Sequence, residues 1–218
     1  MKTATTKTDS SQSISASEFV WDTGEASESN MFMLPVIEEN LRGYESAAVL
    51  DLGCGNGYLA GKVSELGHEV TGCDYSASGI EWARSEREGV KFFQHDITTS
   101  AMPDEFTNSF DVVISSEVIE HLLLPRRLIE SALGVLKPGG LLVISTPYHG
   151  YLKNLALALT NKFDEHWHPL RDFGHVKFFS RKTLKALLSE YDTYDIAVTT
   201  VGRIPIFARS MILTCKKK

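Results

Sequence analysis

The segment Glu117-Val118-Ile119-Glu120-His121 contains the residue types best suited to catalysis. Its two carboxylates and its imidazole stand at positions i, i+3 and i+4, so one helical turn would place all three on the same face. An imidazole there can orient a nucleophile or remove its proton, because its pKa lies near neutral pH. His121 and Glu117 are therefore candidate catalytic residues, and a purely structural role is the alternative.

A glycine loop earlier in the chain predicts a nucleotide site. The run from Val49 to Gly57, VLDLGCGNG, indicates a buried strand that ends in a tight turn before a helix. Its glycines permit positive φ and leave no Cβ between the loop and a ligand. Asp74 ends the next predicted strand about twenty residues on, where a carboxylate can accept both hydroxyls of a ribose.

The spacing of the glycines indicates which nucleotide is bound. Dinucleotide enzymes use G-x-G-x-x-G. Here the order is G-x-G-x-G, with Asp51 two residues before the first glycine. An acid at that place would repel a pyrophosphate but suits a ligand with an amino group and a sulfonium. The loop thus disfavours a nicotinamide dehydrogenase, and glycines that serve only a turn are the other alternative.

This segment resembles motif I of the class I S-adenosylmethionine-dependent methyltransferases, and the similarity runs from about residue 28 to the C-terminus. The resemblance implies that Gly53, Cys54 and Gly55 approach the methionine part of the cofactor. Asp51 would hold its amino group, and Asp74 would bind its ribose.

The resemblance also assigns residues at the ends of later strands. Tyr75 would lie against the adenine, Asp96 would accept the adenine amino group, and Ile97 would flank the ring. A turn cap is the alternative role for Asp96. Ser116 would lie near the methionine end of the cofactor.

The E-x-x-E-H sequence is similar to that of two narrower groups. One comprises the O-methyltransferases of ubiquinone biosynthesis, and the other methylates the 2′-hydroxyl at the 3′ end of small RNAs. In both groups the two glutamates and the histidine are linked to a divalent metal, and in the RNA enzymes a further histidine completes the site. The resemblance thus implies a metal set of Glu117, Glu120 and His121, with His175 as the candidate fourth ligand. Such a set suits Mn²⁺, Zn²⁺ or Fe²⁺ better than Mg²⁺. Many metal-free methyltransferases carry the same motif, and there His121 would face the substrate or act as a base.

The alternation of strand and helix patterns predicts an α/β fold. With the resemblance, this is the Rossmann-like class I methyltransferase fold: a mostly parallel seven-stranded sheet with an antiparallel last strand and helices on both faces. The predicted strands are Val49–Leu52, Glu69–Cys73, Val90–His95, Phe110–Ser115, Leu141–Thr146, Asp195–Val201 and Ala208–Cys215. A helix is predicted from Glu28 or Ser29 to Leu41, and Ser180 is predicted to cap another.

The chain is predicted to form a disordered tail over residues 1–17 and one methyltransferase domain over residues 18–218. Residues 18–45 would form a lid and helix, in which Trp21 either contacts the cofactor or anchors the helix to the core. Residues 147–180 form an insert that would supply the substrate wall, with Tyr148 as a third candidate catalytic residue. Its apolar part, within residues 150–160, is predicted either to pack on the core or to touch a membrane.

The composition narrows the function classes. A formal charge of −6 and a pI near 5.7 argue against a broad nucleic-acid footprint. Three cysteines without ligand spacing favour a reducing cytoplasm, and no apolar run reaches membrane-spanning length. The leading prediction is O-methylation of a small-molecule acceptor, quinone-like or lipid-like. The alternatives are RNA 3′-terminal 2′-O-methylation and a non-catalytic cofactor-binding module.

Overall fold

Seven strands form one sheet in the computed structural model, which describes residues 20, 21, 25, 28–167, 169–202 and 208–218. The tail predicted over residues 1–17 lies outside the described residues. The strands are β1 Ala48–Leu52, β2 Glu69–Asp74, β3 Lys91–Gln94, β4 Phe110–Ser116, β5 Leu136–Pro147, β6 Thr193–Val201 and β7 Ser210–Lys217. Their order is β3-β2-β1-β4-β5-β7-β6. The first five pair in parallel and β7 runs antiparallel to both of its neighbours, so the predicted sheet is confirmed.

Helices cover both faces of this sheet, as predicted. They are α1 Glu28–Leu41, α2 Tyr58–Glu65, α3 Ala77–Glu86, α4 Arg126–Val135, α5 Tyr151–Leu159, α6 Phe163–Trp167 and α7 Arg181–Leu188. Single 3-10 turns occupy Asp104–Phe106 and Ile119–His121. The predicted cap of α7 is confirmed, because Ser180 and Thr183 form a reciprocal capping box. None of the described helices combines the length and apolarity needed to cross a bilayer.

Side-chain alternation along the strands divides the core into two layers. Leu50 and Leu52 pack with α4 and α7, whereas Val49 packs with α1, α2 and α3. The same alternation recurs along β4 and β5. The central strands are buried on both faces and therefore read as nearly continuous apolar runs in the sequence.

The start of β5 differs from the prediction, which placed a stop at Lys137–Gly140 and the strand at Leu141. The strand begins at Leu136, directly after α4. Leu136 pairs with Phe110 and Leu141 with Val112, so residues 137–140 bulge out opposite Asp111. Gly139 permits the bulge through its φ of 78°.

The carboxyl ends of the parallel strands meet along one edge. Asp74 pairs with Gln94, and Ser116 pairs with Ser145. Open α/β sheets bind ligands at this edge. It is where the sequence-predicted cofactor residues lie.

Candidate active site

The glycine loop between β1 and α2 takes a conformation that favours glycine. Gly53 and Gly55 adopt φ of 81° and 52°. The N–H groups of Gly53 and Cys54 both donate to the carbonyl of Cys73, at 2.8 and 3.0 Å. A Cβ on Gly53 would lie 2.4 Å from Cγ2 of Val118, so a larger residue does not fit there.

Two carboxylates flank this loop. Asp74 accepts the N–H of Gly55 on Oδ2 and the N–H of Ser76 on Oδ1, both at 2.8 Å. It thereby ties the loop to the turn that begins α3. Asp51 is buried, and its Oδ2 has no hydrogen-bond partner among the described residues. Burial, and then the nearby charge of Asp74, raise the pKa of Asp51 to about 7.

The other predicted cofactor residues occupy the same edge. Cys54 is buried, and burial raises the pKa of its thiol well above the usual range. Tyr75 is 39% exposed, and Ile97 packs against the core. Asp96 accepts the N–H and the hydroxyl of Thr98 and so caps its own turn. This is the role given above as the alternative to binding the adenine amino group.

Trp21 lies on the glycine loop. A Cβ on Gly55 would lie 2.2 Å from Cζ2 of the Trp21 ring, and one on Gly79 would lie 2.9 Å from its Cδ1. The Trp21 N–H donates to Ser78 Oγ, and its carbonyl accepts the indole N–H of Trp82. Trp21 is thus held against the loop and the start of α3, and both of its predicted roles, cofactor contact and anchor, stay open.

The E-x-x-E-H segment does not form the single helical face that its spacing predicts. Only Ile119–His121 make a 3-10 turn, and Glu117 stands before it with φ of 56°. The Glu117 carboxylate instead accepts the hydroxyl of Ser145 at 2.9 Å. Burial raises the pKa of Glu117 to about 7, although hydrogen bonds from Ser145 and Ser210 oppose the shift.

Glu120, His121 and His175 converge as a candidate metal-binding cluster. One ligand atom from each lies within 4.8 Å of the others, whereas Glu117 stands outside this set. Glu120 is fully buried and accepts the hydroxyl of Thr146 on Oε2 at 3.0 Å. Its Oε1 has no hydrogen-bond partner in the described part of the chain and lies 4.0 Å from His175 Nε2. Burial, and then the charge of Glu117, raise the pKa of Glu120 well above its usual range.

The insert is fixed to this cluster through the backbone. The N–H groups of Val176 and Lys177 both donate to the Glu120 carbonyl at 2.9 Å, which sets His175 beside the carboxylate. His121 Nδ1 lies 2.9 Å from the Phe173 carbonyl. Because a carbonyl only accepts, Nδ1 carries the hydrogen and the lone pair is on Nε2. Partial burial, and then His121, lower the pKa of His175 to about 4.

Other predicted and unpredicted residues complete the site. Ser116 Oγ lies 3.4 Å from Ser145 Oγ, at the ends of β4 and β5. Tyr148 packs against the core, with the Arg181 guanidinium 5.9 Å from its ring centroid. Sequence reasoning missed Ser145 and Thr146, which hydrogen-bond the two glutamates. The signal available in the sequence was their position at the end of a predicted strand, where such sheets bind ligands.

Comparison with known proteins decides the family. A family model described as a methyltransferase domain matches residues 28–198. The chain belongs to the class I S-adenosylmethionine-dependent methyltransferases. The ubiquinone biosynthesis O-methyltransferase of Caulobacter vibrioides is 32% identical over 149 residues, which cover 67% of this chain and 59% of that protein. The enzyme of the same name from Idiomarina loihiensis is 30% identical over 174 residues, 78% of this chain and 70% of that protein. The chain thus spans less than two thirds of the Caulobacter relative.

Solved structures of methyltransferases share the fold. Magnesium protoporphyrin IX methyltransferase from Synechocystis, solved with S-adenosylhomocysteine, matches with a TM-score of 0.63 at 16% identity, over 85% of this chain and 82% of that one. A methyltransferase from Methanosarcina mazei matches with a TM-score of 0.61 at 22% identity, over 84% of this chain and 97% of that one.

The cofactor of this methyltransferase is S-adenosyl-L-methionine. The residues present fit it. The buried Oδ2 of Asp51, which has no hydrogen-bond partner among the described residues, suits an ammonium group. The assignment of individual residues to parts of the cofactor remains a prediction.

The raised pKa of Asp51 predicts a pH-dependent affinity for S-adenosylhomocysteine. In the free protein Asp51 is largely protonated below pH 7, but only its ionised form attracts the ligand's ammonium. The affinity should therefore fall about tenfold per unit as the pH drops below 7. Calorimetry between pH 5.5 and 7.5 measures this slope.

Asp51→Asn should flatten the slope and weaken binding at pH 7.5. Asp104→Asn, a change at an exposed carboxylate in a distant turn, is the matched control and should leave the slope unchanged. An unchanged slope in Asp51→Asn would show that another group binds the ammonium.

Proposed function

We propose that this enzyme transfers the cofactor's methyl group to a hydroxyl oxygen of a small-molecule acceptor of the quinone-like or lipid-like kind. The observation that carries the proposal is the Glu120, His121 and His175 cluster at the sheet edge that also holds Asp51 and Asp74. The relatives are named as ubiquinone biosynthesis O-methyltransferases, which supports an oxygen acceptor related to quinones. The acidic composition supports a small molecule over RNA, since RNA binding relies on basic residues.

The reaction is an in-line displacement. The acceptor oxygen bonds to the methyl carbon while the carbon–sulfur bond breaks, which yields a methyl ether and S-adenosylhomocysteine. The hydroxyl proton must leave. Without a cation, the proposed base is His121 Nε2, because the Phe173 carbonyl holds its Nδ1 as the donor. With a cation bound, that lone pair would be a ligand and the proton would pass to water. Positioning supplies much of the remaining rate.

A divalent cation fits the residues present. Glu120 Oε1 is buried without a hydrogen-bond partner among the described residues, and two imidazoles face it. We propose that Glu120, His121 and His175 would hold such a cation, which leaves positions open for an acceptor. When bound, the cation would supply positive charge that stabilises the ionised form of an acceptor hydroxyl.

Methyl transfer from isotope-labelled cofactor to a panel of phenols, catechols and quinols tests the function. The labelled product should be a methyl ether by carbon-13 NMR. His121→Ala should lower turnover by about 10²–10⁴-fold, the usual contribution of a general base, while S-adenosylhomocysteine binding stays unchanged. Transfer only to nitrogen or carbon acceptors would contradict the proposal, as would full activity in His121→Ala.

The metal set has its own test. Mn²⁺, Zn²⁺ and Mg²⁺ are titrated calorimetrically into protein saturated with S-adenosylhomocysteine. Glu120→Gln should abolish binding because it removes the cluster's carboxylate, whereas Glu117→Gln should retain it. If Glu117→Gln also lost cation binding, Glu117 would be a ligand too, as in the four-residue set that the resemblance implies. The absence of binding heat in the wild-type protein would exclude this cation site.

The exposure pattern of α5, in the insert, supports contact with a lipid surface. Its polar side chains are more buried than several of its apolar side chains. Lys153 and Asn154 are half-buried, whereas Tyr151, Leu152 and Leu159 are exposed. An apolar outer face of this kind fits an interfacial helix.

Cosedimentation with phosphatidylcholine–phosphatidylglycerol vesicles tests this contact. Leu152→Glu with Leu159→Glu should weaken it, whereas Leu66→Glu, at an exposed leucine after α2, should not. Equal cosedimentation of both variants would rule out α5 as the contact.

A further inference from the structure

Three aromatic side chains form a wall in the insert, outside the cluster described above. This aromatic wall consists of His149, Trp167 and Phe178. The rings of His149 and Trp167 stack, with centroids 4.9 Å apart and planes 18° apart. Phe178 meets His149 edge-on at 5.3 Å and Trp167 at 3.9 Å. His149 stands two residues after the end of β5, so the wall adjoins the carboxyl edge of the sheet.

The wall contains polar atoms that have no hydrogen-bond partner among the described residues. His149 is 8% exposed, yet neither of its ring nitrogens has a hydrogen-bond partner there. The indole Nε1 of Trp167 is likewise buried and unpartnered within the described residues. Three such atoms in one place are costly, because buried polar groups are nearly always hydrogen-bonded. A ligand that supplies the missing hydrogen bonds would remove this cost.

The wall adjoins the cluster through two stretches of chain. Thr146, which hydrogen-bonds the Glu120 carboxylate, stands three residues before His149. Phe178 directly follows Lys177, whose N–H donates to the Glu120 carbonyl.

His175, His166 and Lys153 all act electrostatically on His149. Burial, and then Lys153, lower the pKa of His149 to about 4, so the ring is neutral at physiological pH. A neutral imidazole offers one donor nitrogen and one acceptor nitrogen.

Resting on the proposed function, we propose that His149 and Trp167 bind a second polar group of a planar acceptor whose reacting hydroxyl lies at the Glu120, His121 and His175 cluster. A hydroxyl matches this site, because it both donates and accepts hydrogen bonds. The flat faces of the wall favour an aromatic ring. His149 is thus a specificity residue that selects acceptors with two oxygen substituents over those with one.

The ratio of kcat/KM for catechol to that for phenol tests the inference. His149→Phe keeps a flat ring but removes both nitrogens, so the catechol preference should fall about tenfold, the worth of one or two hydrogen bonds. Trp167→Phe should lower it less, because it removes one donor. His149→Asn restores a donor and an acceptor and should recover part of the preference.

Two further results distinguish acceptor selection by His149 from metal binding and from a purely structural role. The affinity for Mn²⁺ in His149→Phe should equal that of the wild-type protein, and a loss would identify His149 as a metal ligand instead. An unchanged catechol preference in a folded His149→Phe would overturn the inference, as would a wild-type enzyme without that preference. In either case, the proposed function would stand if the wild-type enzyme methylates other hydroxyl acceptors.

Discussion

The buried carboxylate of Glu120 is the interaction on which the candidate active site depends. Through its carboxylate and its main-chain carbonyl, Glu120 joins three parts of the chain that are distant in sequence. Its own turn follows β4, its Oε2 accepts the hydroxyl of Thr146 at the end of β5, and its carbonyl accepts two N–H groups from the insert. These contacts set His175 against Oε1.

The buried carboxyl groups at this edge explain which ligands the site suits. Asp51, Glu117 and Glu120 are carboxyl groups whose pKa is raised by burial in each case. A buried carboxylate is stabilised when a cation comes close. The ammonium of the cofactor can do this for Asp51, and a divalent ion can do it for Glu120. The site is therefore complementary to positively charged ligands before any acceptor binds.

The sequence predicted the parts of this structure that depend on local patterns. Strand and helix alternation predicted the sheet, which the structure confirms, and the spacing of Asp51, Gly53 and Asp74 predicted a cofactor site at the edge where these residues lie. The regular spacing of Glu117, Glu120 and His121 was misleading, because Glu117 adopts positive φ and turns toward Ser145. Backbone conformation of this kind is set by tertiary hydrogen bonds and leaves no periodic signal.

The aromatic wall was invisible for a related reason. Residues 147–180 were predicted to supply the substrate wall, but no pattern in the sequence pairs His149 with Trp167. Only the fold of the insert stacks His149 on Trp167. The resemblance to known methyltransferases predicts the cofactor well because the sheet edge forms its site. It predicts the acceptor poorly because an insert of this chain forms that wall.

We propose that cations complete a buried, carboxyl-rich edge that the cofactor and the acceptor share. Anomalous diffraction from crystals grown with S-adenosylhomocysteine and Mn²⁺ tests it most directly. The account predicts the ligand's amino group at Asp51 and a manganese peak between Glu120, His121 and His175. S-adenosylhomocysteine bound along the sheet edge without manganese at this cluster would contradict it.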